Sequence, residues 1–197
     1  NSMKTGWCKQ LAVTELDELN FKQKKIDNLL ASARKLNSTN NFIGTPLKEL
    51  PFGANLYSLD SFTNVNDFII NLKSKFKNSA LIIDFWATWC MPCIADLPYS
   101  KQIHEANKDL PIAYIYICTN TSSNIKLWEN KVVGLKIPGT HIFMDEKMVE
   151  GLKSSFDNAG AGFPTFVVID ANGKLRPNAI QRMQILDRDK LKTAVGL

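Results

Sequence analysis

The sequence has few cysteines and no long apolar run, and these scarcities exclude several classes of protein. Its four cysteines are too few for a scaffold held together by disulfide bonds. No apolar run approaches the roughly 18–20 residues that span a bilayer. No repeat or low-complexity segment is present either. The class to expect is therefore a globular domain with an ordinary hydrophobic core.

The composition and charge agree with that class. Hydrophobic residues make up 45% and charged residues 22% of the 197 residues, which argues against disorder. The net charge of +5 comes from scattered lysines, whose densest run is Lys22, Lys24 and Lys25. Because the lysines form no basic stripe, we expect a solvated surface and no nucleic-acid partner.

The first 43 residues are set apart from the rest. Apolar residues recur at three- and four-residue spacing over 13–36, which predicts a helix. We interpret 1–43 as a helical extension, packed on the following domain or left from an upstream one. The chain opens on Asn1-Ser2-Met3 without a recognisable signal peptide, so its location is not readable from this end.

Residues 44–197 alternate between strand-like and helix-like patterns. The predicted strands are 56–59, 80–86, 111–118, 140–144, 165–170 and a hairpin strand at 174–177. The predicted helices are 62–76, 90–107, 122–132, 145–156 and 187–195. This order predicts an α/β fold with a mixed, mostly parallel sheet flanked by helices, and an antiparallel edge at the hairpin.

One motif carries chemistry, Trp89-Cys90-Met91-Pro92-Cys93, where a predicted strand ends and a helix begins. A helix N-terminus has unsatisfied N–H groups and about half a positive charge, which would stabilise a Cys90 thiolate and make it more nucleophilic. Pro92 suits the first helical turn. Cys93 lies one turn along the same face, within reach of Cys90. One cysteine can then attack a disulfide while the other resolves the mixed disulfide.

Asp84 is the anomaly in the apolar run 80–86. A carboxyl in a buried strand is costly unless it has a partner or a task. Burial is expected to raise its pKa, so that it could accept the Cys93 proton when the mixed disulfide breaks. The alternative is that Asp84 faces a wet crevice and has no role.

Other interpretations of the cysteine pair fit less well. A structural zinc site needs four ligands. The remaining candidates, which form no second close pair, are Cys8, Cys118, His104 and His141. A structural disulfide would close only a small loop. A cysteine–histidine pair is disfavoured because His104 lies about three helical turns beyond Cys93. We expect both histidines on the surface or in packing contacts.

Several apolar residues are assigned by their position. Cys118 ends a predicted buried strand and is expected to act as a small hydrophobe. Trp86 is expected in the core. Substrate binding is assigned to an exposed rim, which consists of Trp89, Met91, Pro92 and Phe163. The bond from Phe163 to Pro164 is trans by default, since only about 5–6% of such bonds are cis.

The stretches DFWATWCMPC (84–93) and GFPTFVVIDANGK (162–174) resemble the thioredoxin superfamily. More narrowly, they are similar to the TlpA, ResA or DsbE-like thiol–disulfide oxidoreductases, and they resemble the members of this branch from Bacteroides-like bacteria. The resemblance covers about 45–197. It implies a thioredoxin-like domain at 44–197 with a helix–strand insertion at about 121–145.

The resemblance also implies roles at the site. Cys90 would be the attacking cysteine, Cys93 the resolving one, and Pro164 a cis-proline facing the pair. It implies no metal and no cofactor besides the redox-active Cys90–Cys93 disulfide. Two features depart from the narrower group, since many members have Asn where Asp84 stands, and Met91-Pro92 replaces the Gly-Pro of thioredoxin.

The resulting hypothesis is an enzyme that reduces protein disulfides in the cell envelope. Similar proteins serve cytochrome c maturation, sporulation and other envelope thiol chemistry. Its expected partners are protein thiols and disulfides and an upstream membrane or soluble electron donor. The expected location is the periplasm or cell envelope, with or without a lipid anchor, the targeting segment being absent from this chain.

The sequence also leaves two alternative functions. A binding or chaperone-like module with little redox turnover would use the apolar rim to hold a client. A peroxide reductase usually carries a single cysteine in a Thr-x-x-Cys setting. Thr88 lies only two residues before Cys90, so that match is poor.

Overall fold

A computed structural model describes residues 42–60 and 64–197, and in addition residues 13–14, 16–18, 20–21 and 24. The described residues between 13 and 24 are helical, in agreement with the helix predicted there. The rest of that predicted helix, like Cys8, lies outside the described residues. The division into an extension at 1–43 and a domain at 44–197 stays a prediction.

Within the described residues, seven strands form one sheet in the order β1-β2-β5-β4-β3-β6-β7. The strands are β1 (Thr45–Leu50), β2 (Ala54–Leu59), β3 (Ala80–Trp86), β4 (Ile112–Thr119), β5 (Gly139–Met144), β6 (Thr165–Ile169) and β7 (Leu175–Arg176). Strands β2, β5, β4 and β3 run parallel, and β1, β6 and β7 each pair antiparallel with a neighbour. The predicted mixed α/β sheet is confirmed.

Helices cover both faces of this sheet. They are α1 (Val65–Lys75), α2 (Met91–Ala106), α3 (Ile125–Leu135), α4 (Glu146–Ser155) and α5 (Arg188–Val195), with a 3₁₀ helix at Met183–Ile185. Helices α1 and α4 pack on one face, and α2, α3 and α5 pack on the other. A helix and a strand thus occupy the stretch 121–145, where the resemblance implied an insertion.

Four of these helices begin on side chains that cap them. Asn64, Asn124, Asp145 and Asp187 each accept a backbone N–H of the first turn at 2.8–2.9 Å. Short polar side chains at this position satisfy donors that have no partner inside the helix. The helix starts therefore follow from local sequence.

Strand β1 was not predicted from the sequence. Pro46 and Pro51 indicated a break, because proline cannot donate a hydrogen bond to a sheet. Among the described residues β1 is an edge strand that pairs only with β2, and its register shifts between Pro46 and Lys48. An edge strand tolerates proline because its outer groups have no ladder to complete.

The topology brings two distant parts of the chain together. The predicted antiparallel edge was the final hairpin, but β6 itself runs antiparallel to the central strand β3. The start of β6 therefore lies at the end of β3, with Thr165 opposite Phe85. The residues that follow β3 and those that precede β6 meet at this edge of the sheet.

The central strands form the core. All seven residues of β3 are buried, and so are the last six of β4. Trp86 is among the largest fully buried side chains, as predicted. In the described part of the chain, we find no helix with the length and apolar character that crossing a membrane requires.

Truncation of a core residue of β4 should be costly. Ile115 is 0% exposed, so Ile115→Ala is expected to lower the free energy of unfolding by about 2–5 kcal/mol through lost burial and a cavity. Urea unfolding followed by circular dichroism measures this. Ile185→Ala is the matched control, because Ile185 is 57% exposed, and it should cost only about 0.5 kcal/mol. Equal losses in the two variants would contradict the assigned core.

Candidate active site

Cys90 and Cys93 form a disulfide bond at the start of helix α2, with their Cα atoms 5.3 Å apart. Cys90 follows the end of β3 after a three-residue turn, in which its N–H donates to the Ala87 carbonyl. Pro92 lies in the first turn of the helix. The strand–turn–helix setting predicted for the motif is present.

Cys90 itself is the capping residue of α2. Its Sγ accepts the N–H of Cys93 at 3.2 Å, in the place where an Asn or Asp oxygen caps the four other helices. The sulfur therefore lies at the positive end of the helix dipole. Negative charge on this sulfur after reduction would be stabilised there.

The rim around the pair is apolar and exposed. Both cysteines are buried, whereas Met91 is 71% and Trp89 is 49% exposed. Pro92 is exposed and Phe163 is partly buried. Of the four residues assigned to substrate binding, Trp89, Met91 and Pro92 adjoin the cysteines in sequence, and Phe163 contacts Trp89. The burial of Cys90 was not predicted and follows from the side chains that surround it.

Two contacts fasten Trp89 and its neighbour to the loop that follows β4. Trp89 donates its indole N–H to the Thr121 carbonyl at 2.7 Å. Thr88 Oγ1 and Ser123 Oγ are 2.8 Å apart. This loop was not recognised from the sequence as part of the site, because its contacts depend on β3 and β4 being neighbours in the sheet.

Phe163 and Pro164 reach the site from the other side. The peptide bond between them is cis, as the resemblance implied and against the default expected from the residues alone. The Phe163 ring meets the Trp89 ring edge-on, with centroids 5.9 Å apart. Pro164 immediately precedes β6, whose first residue Thr165 lies opposite Phe85 near the end of β3.

Asp84 is buried within β3, with 4% of its surface exposed. Its Oδ1 has no hydrogen-bond partner among the described residues. Burial, and next the nearby charge of Asp96, raise the pKa of Asp84 well above its ordinary value. Asp84 shares its face of the sheet with α2, since the adjacent even-numbered residues Ile82 and Trp86 pack in the same core as Cys93.

Asp96 was missed by the sequence analysis. It is buried on α2, and its carboxylate accepts the N–H of Met183 at 2.9 Å and that of Gln184 at 3.1 Å. It thereby fastens the 3₁₀ helix to the active-site helix. Its spacing of three residues from Cys93 places it on the same helix face, and this was the signal that could have revealed it.

Cys118 and the two histidines make packing contacts in the described structure. His141 is buried, stacks on Tyr116 with centroids 4.6 Å apart, and burial lowers its pKa to about 3. His104 stacks on Tyr114. Cys118 is buried at the end of β4, and burial raises its pKa. Packing roles account for all three, and no cluster of potential metal ligands occurs among the described residues.

The Asp84 carboxyl should make stability depend on pH. Because its pKa in the folded state is raised, the folded state binds more protons than the unfolded chain above the ordinary carboxyl pKa of 3.8. The free energy of unfolding should therefore fall as the pH rises from there through the folded-state pKa. Asp84→Asn should remove this loss, so its advantage in stability should grow with pH.

Urea unfolding of the oxidised protein over a series of pH values measures this effect. Asp60→Asn, which changes an exposed carboxyl, is the matched control and should keep the slope of the unaltered protein. A stability difference for Asp84→Asn that stays constant with pH would show that the carboxyl is not buried in its protonated form.

The sequence and the fold are similar to those of known proteins. The sequence model of the Redoxin family matches residues 61–195, more than half of the chain. The thiol-disulfide oxidoreductase ResA of Bacillus thuringiensis (strain Al Hakam) is 30% identical over 108 residues, which are 54% of this chain and 57% of that protein. The chain spans about half the length of the curated relatives that it matches.

Solved structures show the same fold. A thiol:disulfide interchange protein of the thioredoxin family from Chlorobium tepidum TLS superposes with a TM-score of 0.54 at 24% identity, over 63% of this chain and 85% of that chain. A protein from Bacteroides vulgatus described as a thiol-disulfide oxidoreductase gives 0.50 at 26% identity, over 62% and 82%. The chain therefore belongs to the Redoxin family, within the thioredoxin superfamily, and has the thioredoxin-like α/β fold.

Proposed function

We propose that this protein is a thiol–disulfide oxidoreductase that reduces disulfide bonds of protein substrates. The observation that carries the proposal is the Cys90–Cys93 disulfide at the N-terminus of α2, with the first sulfur capping the helix. A disulfide that closes a loop of this size contributes little to stability through chain entropy. A redox role explains its place in the fold better than a structural one.

The proposed reaction starts from the reduced pair. The Cys90 thiolate attacks one sulfur of a substrate disulfide, which forms a mixed disulfide and releases the other substrate sulfur as a thiolate. Cys93 then gives up its proton and attacks Cys90 Sγ, which releases the second substrate thiolate. Two electrons pass to the substrate, and the Cys90–Cys93 disulfide of the structure is the product.

Asp84 is proposed to accept the Cys93 proton in the second step. It is buried on the face of the sheet that α2 covers, and its Oδ1 has no partner among the described residues. Because burial and Asp96 raise its pKa, its carboxylate is a stronger base than an exposed one. The geometry thus supports a proton acceptor behind the resolving cysteine.

The apolar rim is proposed to bind the substrate chain. Trp89 and Met91 are exposed beside the buried pair, and Phe163 packs against Trp89. Pro164 has no backbone N–H and cannot extend the ladder of β6, so we propose that an extended substrate segment lies against it. An apolar surface of this kind fits protein disulfides better than small polar ones.

The proposal also includes the direction of electron flow and the location of the protein in the cell. We propose a reductant, re-reduced by an upstream membrane or soluble electron donor. A place in the periplasm or cell envelope, in thiol chemistry such as cytochrome c maturation, is supported by the family resemblance. Holding a client without redox turnover is the alternative function that the exposed rim leaves open, and the variants below separate the two.

Replacement of either cysteine should stop turnover in different ways. With dithiothreitol as electron donor, Cys90→Ser should lower the rate of insulin disulfide reduction to the background rate, because the attacking sulfur is lost. Cys93→Ser should accumulate a mixed disulfide that mass spectrometry detects. Cys118→Ala is the matched control and should keep full activity. Substantial insulin reduction by Cys90→Ser would contradict the mechanism. If the variant with both Cys90→Ser and Cys93→Ser still protects a client protein from aggregation, the binding function is favoured.

The reduction potential should identify the direction. Equilibration of the Cys90–Cys93 couple against graded thiol buffers is expected to give a value near that of thioredoxin, about −270 mV. A value of about −120 mV, typical of a strong oxidant, would instead require an oxidising role. Mass-resolved alkylation of the two thiols measures the reduced fraction.

A further inference from the structure

Lys153 is a lysine in the interior of the protein. It lies on α4, and its side chain is 1% exposed. Burial of an ammonium group is costly unless neighbouring groups compensate its charge and its hydrogen-bond donors. The groups that compensate Lys153 therefore indicate what its position achieves.

Three groups of the described residues contact the Lys153 ammonium. Its Nζ lies 2.7 Å from Glu150 Oε1, one turn back on the same helix. It also donates a hydrogen bond to the carbonyl of Ala161. The third group is the Phe163 ring, whose centroid lies 4.8 Å from Nζ, within the range of a cation–π interaction.

Two of these groups, Ala161 and Phe163, belong to the loop 156–164 between α4 and β6, which carries the cis-proline Pro164. The backbone of Lys153 also takes part, since its carbonyl accepts the N–H of Asn158 at 2.8 Å. The loop contains Gly160 and Gly162, whose backbones are less restricted than those of other residues. Lys153 thus holds the loop at its beginning through the backbone and near its end through the side chain.

The loop continues directly into the proposed substrate-binding rim. Phe163 contacts Trp89 edge-on and forms the cis peptide bond with Pro164. A ring fixed between the Lys153 cation and Trp89 keeps the two sides of the rim in contact. Among the described residues, the hydrogen bonds, ion pair and ring contact of Lys153 do not include Cys90 or Cys93, so its effect reaches the site through Phe163.

We propose that Lys153 is a positioning residue for protein-disulfide exchange, a role that rests on the proposed function. Its ammonium holds the Ala161 carbonyl and the Phe163 ring, and so sets the place of Pro164 against the cysteine pair before a substrate binds. Such preorganisation lowers the cost of binding an extended chain without changing the reactivity of the sulfur.

Lys153→Met tests this role, because it keeps the apolar stem and removes the cation and its donors. KM for insulin should rise by about threefold to tenfold, the loss expected for one cation–π contact and its hydrogen bonds. The maximal rate, and the rate at which dithiothreitol reduces the Cys90–Cys93 disulfide, should stay unchanged. Lys147→Met, an exposed lysine on the same helix, is the matched control and should keep the original KM.

A double-mutant cycle gives the specific signature. Phe163→Leu removes the ring, so adding Lys153→Met to it should raise KM much less than Lys153→Met does alone. Additive effects, or an unchanged KM in folded Lys153→Met, would overturn the proposal. If Lys153→Met does not fold, Lys153→Gln takes its place, since it keeps an amide donor but no cation, and an unchanged KM in that variant has the same meaning.

A second readout does not depend on the proposed function. Nuclear Overhauser contacts between the Trp89 and Phe163 rings should be present in the unaltered protein and in Lys147→Met, and weakened in Lys153→Met. If the unaltered protein does not reduce insulin, the proposed function fails while this measurement still decides the positioning role. Undiminished ring contacts in Lys153→Met would refute that role.

Discussion

The side chain of Cys90 accepts the Cys93 N–H at the point where β3 ends and α2 begins, and the site is arranged around this junction. Cys90 lies at the end of the sheet because it follows the buried strand β3. The helix then places the second cysteine one turn along, within bonding distance of the first. Because a helix cannot satisfy its first N–H groups internally, the sulfur at this position both completes the helix and occupies its positive end.

Asp84 and Asp96 near this junction and Lys153 near the loop opposite it are buried charged residues, and they are compensated differently. Asp96 accepts two backbone N–H groups of the 3₁₀ segment. Lys153 is surrounded by a carboxylate, a carbonyl and an aromatic ring. Asp84 has one oxygen without a partner among the described residues, and its pKa is raised. The contacts of Asp96 and Lys153 join separate segments of the chain, whereas Asp84 is the acid that we propose as the proton acceptor.

Much of the fold was predictable because its signals are local. The apolar run marks β3, and the polar residues before the helices determine where those helices begin. Strand β1 escaped prediction because Pro46 is acceptable only at an edge, and the sequence does not state which strand is at the edge. The antiparallel direction of β6 escaped for a similar reason, since an alternation of strands and helices does not determine how the chain crosses the sheet.

By itself, the sequence determined the cysteine pair, its place at a helix start and the acid within β3, since each depends on neighbours within a few residues. The cis geometry at Pro164 could be inferred only through the family resemblance, because the default for such bonds is trans. The tertiary structure alone brought Phe163 to Trp89, Asp96 to the 3₁₀ segment and Lys153 to the cis-proline loop. These contacts join segments tens of residues apart or bury a charge that an amphipathic helix would ordinarily expose, and only the packing of the whole sheet decides them.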